Sequence, residues 1–221
     1  MDYKFIQENG KNILKLNILS KKICTYDCIF CPIGRGIRTD EIQQFNNTYD
    51  IIQKLETIMD NNIVDLIFIN SAGEALLHSG IKEIIKFLKS KNTKVRLLSN
   101  GYILNRYKEI ANLCDEIVGE IKTVKDIDFQ KFQRPVENYS IDRLIQNMAE
   151  FNKQYKGKFI LNITILNTLN NDEESLNKIR NAINKIKPDK VIIEKEEDKR
   201  FTKKYGIEKS ELDIISKKLL T

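Results

Sequence analysis

No apolar run in these 221 residues approaches the roughly 20 residues that a membrane-spanning helix needs. The opening MDYKFIQENGK lacks the basic start and apolar core of a secretory signal, so the cytoplasm is the expected setting. Low-complexity tracts, Pro-rich linkers and internal repeats are also missing, which makes a single domain over 1–221 the expectation. Histidine occurs once, so a metal centre can draw only His78 from that residue type. The net charge of +6 is modest, and no basic patch interleaved with aromatics supports nucleic-acid binding from charge alone.

Hydrophobic residues make up 41% and charged residues 31%, an ordinary balance for a globular chain that stays in water. Of the four cysteines, Cys24, Cys28 and Cys31 fall within eight residues of one another. A disulfide framework spreads its cysteines to staple distant segments, and these three can close only tiny loops. Clustered thiols of this kind point to metal. Cys114 lies far away in NLCDEIV and reads as a small buried hydrophobe.

Short apolar runs alternate with amphipathic segments along the chain. ILKLNIL (13–19) is a predicted strand leading directly into the cysteine segment, which spans 20–38. Ile51, Ile52, Leu55, Ile58 and Met59 share one helical face over 48–60. VDLIFIN (64–70) is a predicted strand, and Ser79 is a cap for the helix carrying Ile81, Ile84, Ile85 and Leu88. VRLLSNG (95–101) is a strand ending in an Asn-Gly turn, followed by a short helix over 104–112 and a strand over 116–121. Ser140 opens a further helix, FILNITIL (159–166) is a strand, and a helix runs from Asp172 to near Lys187 with Pro188 stopping it. KVIIE (190–194) is the last strand, and a helix over 207–219 ends the pattern. Six β/α units in series imply parallel strands with helical crossovers, as a doubly wound sheet or as an incomplete barrel. In either, ligands gather at the carboxyl ends of the strands.

ICTYDCIFCPIGRG sets the spacing C-x3-C-x2-C. Three thiolates can hold three irons of a cubane and leave the fourth open to a ligand, whereas electron-transfer clusters use four cysteines. The competing reading is zinc, with His78 completing a Cys3His set. A structural zinc site prefers four ligands in paired motifs, and both the spacing and the sequence distance of His78 are poor matches. A non-catalytic module, either a zinc protein or an iron–sulfur carrier, is the alternative to an enzyme.

The pattern C-x3-C-x-aromatic-C, met by Cys24, Cys28, Phe30 and Cys31, resembles the radical S-adenosylmethionine (SAM) superfamily. SAGEALLH resembles the family's G-G-E or G-E-P segment at Gly73 and Glu74, and Ser99-Asn100-Gly101 resembles its T-N-G type turn. The chain is also similar to short iron–sulfur oxidoreductases related to the wyosine-base synthases of tRNA, through GE-x-LLH, FQKFQRP (129–135), FILNITIL and KPDKV. The resemblance implies a single-domain partial (β/α)6 TIM-type barrel with a [4Fe–4S] cluster on Cys24, Cys28 and Cys31, and SAM chelated at the open iron. It places Phe30 near the adenine, Gly73 and Glu74 on the SAM amino group, and Ser99 and Asn100 near its ribose or carboxylate. Lys122 points into the mouth or outward; pointing inward, it can hold a carboxylate.

The sequence departs from the family where Glu120, Ile121 and Lys122 replace a Ser-Leu-Asp segment, where Ala75 replaces proline, and where EKEEDKR (194–200) replaces an R-P element. That charged run reads as a solvated loop. His78 is expected to cap or pack near the second helix, and Arg134 to be structural or at the rim. The substrate classes left open are a tRNA base, a peptide or protein, and a small metabolite. No cysteine set remains for an auxiliary cluster, so the implied reductant is a separate flavodoxin or ferredoxin.

Overall fold

The computed structural model describes residues 1–220. The chain opens with a hairpin of β1 (Asp2–Glu8) and β2 (Lys11–Asn17), turned by Asn9 and Gly10. Both turn residues have positive φ, 52° and 76°, the requirement of the tight turn that matches strand twist. The cysteine segment follows, with two short paired strands, β3 (Ile23–Cys24) and β4 (Ile37–Arg38). Next come α1 (Thr48–Asp60), β5 (Leu66–Ile69), α2 (Ile81–Ser90), β6 (Lys94–Ser99), α3 (Lys108–Ala111), β7 (Glu116–Ile121) and α4 (Asp126–Asp128). The chain continues through α5 (Ile141–Asn152), β8 (Lys158–Ile165), α6 (Glu173–Ile186), β9 (Lys190–Lys195), α7 (Lys199–Tyr205) and α8 (Lys209–Leu220).

One curled seven-stranded sheet results, in the order β1-β2-β5-β6-β7-β8-β9. All pairs are parallel except β1 with β2, so the six expected β/α units form a half-barrel. Alternation along the strands explains both faces. Leu14, Leu16, Ile67, Ile69, Val95, Leu97, Ile117, Phe159, Leu161 and Ile163 are buried in the main core with Ile51, Leu55, Ile84, Ile85 and Leu144 from the helices. Their neighbours Lys15, Phe68, Arg96, Glu120, Asn162 and Glu194 point the other way and line the hollow of the half-barrel.

Several local expectations are corrected. The first strand is 11–17 rather than 13–19, and β1 precedes it; the Asn-Gly turn at 9–10 is the signal that marks this hairpin. Gly80 is the N-cap of α2 in place of Ser79, whose Oγ accepts a hydrogen bond from the Phe45 N–H at 3.0 Å. The helix expected over 104–112 is a single turn, and the C-terminal helix begins with a separate one, α7. Ser140 and Asp172 cap α5 and α6 as their sequences imply. No helix of the described residues is long and apolar enough to cross a membrane.

Leu97 is fully buried. Leu97→Ala is expected to lower stability by about 2–5 kcal/mol, the cost of a cavity that cannot collapse. Ile63→Ala, at a side chain 79% exposed, is expected to change it by under about 0.5 kcal/mol. Urea unfolding followed by circular dichroism compares the two.

Candidate active site

A cavity of about 470 Å³ opens at the carboxyl ends of β2, β5, β6 and β7, where parallel α/β sheets collect ligands. Cys24, Cys28, Cys31, Phe30, Gly73, Glu74, Asn100 and Lys122 all line it. Residues far apart in sequence are thus brought to one place. Ser99 is the exception among the predicted set. It is buried beneath the cavity and acts on Glu74.

The cysteine loop has little regular structure of its own and is held from two sides. On one side, Glu74 N–H donates to the Ile23 carbonyl at 2.8 Å, and Ile23 bridges to Gly73. Gly73 sits at φ +132°, and a Cβ there would lie 2.0 Å from the Ile23 carbonyl oxygen, so only glycine allows this approach. On the other side, Asp27 N–H donates to the carbonyls of Gln133 and Arg134, and Ile29 N–H to that of Phe132. Val136 N–H returns a bond to the Thr25 carbonyl. FQKFQRP therefore templates the loop. Its five-residue π-helical turn, Phe129–Gln133, ends in Arg134 at φ 47°, a strained conformation for a residue with a Cβ. Arg134 is thus structural, and the pairing of segments about 100 residues apart through backbone groups leaves no side-chain signature in the sequence.

Glu74 is 1% exposed, and its carboxylate joins the ends of two strands. Oε2 accepts from Ser99 Oγ at 2.9 Å and from Asn100 N–H at 3.0 Å, while Oε1 accepts from Leu76 N–H at 3.3 Å. Burial raises its pKa to about 7 against these three hydrogen bonds, which favour the anion. Asn100 Nδ2 donates to Thr25 Oγ1 at 2.7 Å and lies 3.6 Å from Cys24 Sγ, and its Oδ1 accepts from Tyr102 N–H at 3.1 Å. Asn100 thus fastens the first cysteine to the end of β6.

Burial and then the Glu74 charge push the Cys24 thiol up to about 12. Burial and then Cys24 likewise raise Cys28. Lys122 faces inward, 3.6 Å from Glu120, whose charge raises the lysine pKa. Phe30 is buried in a second apolar cluster with Leu166, Leu169 and Tyr205, which seats the cysteine loop on α7. The 194–200 run keeps most of its charges in solvent but is only in part a loop, ending β9 and opening α7. Asp198 caps α7, and Arg200 spans Asp198 and the Pro32 carbonyl, the latter at 3.1 Å, because the chain turns back over the loop after β9.

A family model described as the radical SAM superfamily matches residues 18–179. The chain belongs to that superfamily. Its curated relatives include a UPF0026 protein of Methanocaldococcus jannaschii, 25% identical over 83% of this chain and 59% of its own length. Another is a protein of Brachyspira hyodysenteriae named GTPase Obg, 26% identical over 81% of this chain and 27% of that protein. The chain therefore spans less than two thirds of either relative. Among solved structures, TYW1 with a lysine-pyruvate adduct bound superposes with a TM-score of 0.70 at 14% identity, covering 95% of this chain and 74% of that one. Streptococcus suis SuiB gives 0.69 at 17% identity, over 94% and 47%. The fold of this radical SAM protein is thus shared with both. The superfamily works with SAM and an iron–sulfur cluster, and the cysteine motif and partial barrel here have its form.

His78 and Cys114 stay outside the cavity. His78 is buried in a stack on Phe45, bonded to Asn47 Oδ1 and Gly80 N–H, and burial lowers its pKa to about 4. Cys114 is a buried thiol, held neutral by burial with its pKa near 12.

Because burial favours the neutral form of Glu74, the folded chain holds this proton more tightly than the unfolded chain. The stability it contributes is full below its ordinary value of 4.5 and is lost as pH rises to about 7. Glu74→Gln cannot ionise and is expected to flatten that part of the profile. Urea midpoints on either side of this window compare the two proteins, and parallel profiles would refute the assignment.

Proposed function

We propose that this chain is one radical SAM core domain over 1–221, holding a [4Fe–4S] cluster on Cys24, Cys28 and Cys31. The observation that carries the reading is the convergence of these thiols with Gly73, Glu74 and Asn100 on one cavity at the strand ends. The residues fit the group. Among the described residues, no three His, Cys, Asp or Glu side chains group around a single metal-ion position, so a mononuclear zinc centre has no support. A cubane is held by one thiolate per iron and makes no such demand.

When bound, the cluster supplies the electron that splits SAM into methionine and a 5′-deoxyadenosyl radical, which takes a hydrogen atom from substrate. The chain's own part is positioning. Gly73, Glu74 and the backbone of 132–136 fix the cysteine loop, and Glu74, through Ser99 and Asn100, aligns the ends of β5 and β6. In this reading Gly73, Glu74 and Asn100 form the wall against which SAM binds, Ser99 holds Glu74 from beneath, Phe30 backs the wall, and Lys122 offers a cation at its edge. A separate low-potential protein of the flavodoxin or ferredoxin class delivers the electron. Clustered thiols that stay reduced suit the cytoplasm. A tRNA base, a peptide or a small metabolite serves as substrate.

Cys24→Ala, Cys28→Ala and Cys31→Ala are each expected to lose iron and to reduce 5′-deoxyadenosine formation to background. Cys114→Ala is expected to keep both. Anaerobic reconstitution, iron analysis and mass spectrometry after adding SAM and dithionite make the check. Iron retained in all three single variants would overturn the ligand assignment.

A further inference from the structure

The hollow of the half-barrel continues below the cysteine cavity into an inner cavity of about 580 Å³. Its wall carries charges of both signs, and most are matched. Arg96 binds Glu8 at 2.8 Å and Glu116 at 2.6 Å, and Lys122 approaches Glu120. Glu194 accepts from Asn162 Nδ2 at 2.8 Å and from Thr164 Oγ1 at 3.3 Å.

Lys15 is different. It has no carboxylate within 4.0 Å among the described residues, and its Nζ instead lies 5.8 Å from the centroid of the Phe68 ring. Directly opposite it in the β1–β2 ladder stands Lys4, also without an ion pair among the described residues. Like charges in facing positions repel. Burial first and Lys4 second push the Lys15 pKa below its ordinary value, with only Glu194 acting the other way. Both lysines line the cysteine cavity, and Lys15 also lines the inner one. A nearby group is unmatched too. Asn162 Oδ1 is buried without a donor, and the Asn70 side-chain amide lines both cavities.

We propose that Lys4 and Lys15 seat an anionic group of the substrate, a carboxylate or phosphate, on the inner wall of the half-barrel. An anion there removes the repulsion between the two cations and gives each a partner; Lys4 is exposed, and the half-buried setting of Lys15 strengthens its share of the attraction relative to open solvent. Asn70 offers a donor to the same group, and Asn162 Oδ1 an acceptor for a hydroxyl or amine elsewhere on the ligand. SAM also carries a carboxylate. Lys15 sits in mid-strand, however, and reaches the inner cavity, which is lined by no cysteine and by none of Gly73, Glu74 and Asn100, whereas Lys4 lines the cysteine cavity alone. This assignment of the anion to the substrate rests on the radical SAM reading.

The test is lysine acetylation by limiting acetic anhydride, read by peptide mass spectrometry on cluster-loaded protein. Inorganic phosphate is the probe, against chloride at matched ionic strength. Phosphate is expected to slow labelling of Lys15 and Lys4 by about fivefold, equivalent to about 1 kcal/mol of binding, and to leave the exposed Lys54 unchanged. In Lys4→Gln the protection of Lys15 is expected to disappear. Equal labelling in phosphate and chloride overturns the proposal, and so does protection that persists in Lys4→Gln. Saturating SAM is expected to leave both lysines as reactive as before; protection by SAM alone would assign the site to SAM and overturn the proposal. Formation of 5′-deoxyadenosine in the same preparation separates the two ideas. Cleavage without phosphate protection sinks the anion seat and leaves the radical SAM reading standing, whereas protection without cleavage does the reverse.

Discussion

The segment that carries the three cysteines is nearly all turn, with a single short strand on either side. Such a loop takes its shape from what it leans on, and here the deciding constraint is the approach of Gly73 to the Ile23 carbonyl. At a Cβ distance of 2.0 Å no other residue fits, and the contact sets the height of Cys24 above the end of β5. Glu74, next in sequence, extends the same joint to β6 by gathering Ser99 Oγ and the Asn100 N–H. Asn100 carries it back to Thr25 and Cys24. Two strand ends and the loop above them are thereby one hydrogen-bonded unit, closed on a buried carboxyl group.

That joint also explains why so much polar structure is buried at the mouth. A carboxylate out of water is costly unless hydrogen-bonded, and Glu74 has three donors yet still holds its proton up to about pH 7. The far side of the loop is held by backbone hydrogen bonds, with the Tyr26 ring edge-on to Phe129 at 5.2 Å beside them. The π-helical turn and the left-handed Arg134 are irregularities that present three successive carbonyls to Asp27 and Ile29. Strain at such a place is tolerated because neighbouring contacts over-determine it.

The half-barrel beneath follows from simpler rules. Apolar residues alternate with charged or polar ones along β2, β6, β7, β8 and β9, so one face packs against helices and the other is left as a polar hollow. A full barrel would fill that hollow with side chains, whereas the open curl leaves it lined by charges of both signs, with the half-buried Lys15 among those that have no ion pair among the described residues. The α7 helix then closes the edge of the mouth through Arg200 and the Phe30 cluster, which is why the acidic and basic run after β9 is tied down.

What the sequence determined alone was whatever depends on local pattern. The period-two and helical repeats identified the six β/α units, the cysteine spacing marked the candidate metal-binding loop, and the positions of Gly73, Glu74 and Ser99-Asn100 at strand ends placed them on the same face as that loop. The expectation for Phe30 came from the family likeness and not from any pattern. Tertiary structure decided what distant segments do to one another. It placed FQKFQRP as the template of the loop, since backbone bonds between residues 27–29 and 132–134 depend on no particular side chain. It turned Ser99 beneath the cavity, aimed Asn100 at Cys24, and folded the 194–200 run onto the loop. It also set Lys4 opposite Lys15, a pairing fixed by the register of the β1–β2 hairpin. Periodicity records which face a residue takes; which residue it meets there is set by register and closure, and these exist only once the chain is folded.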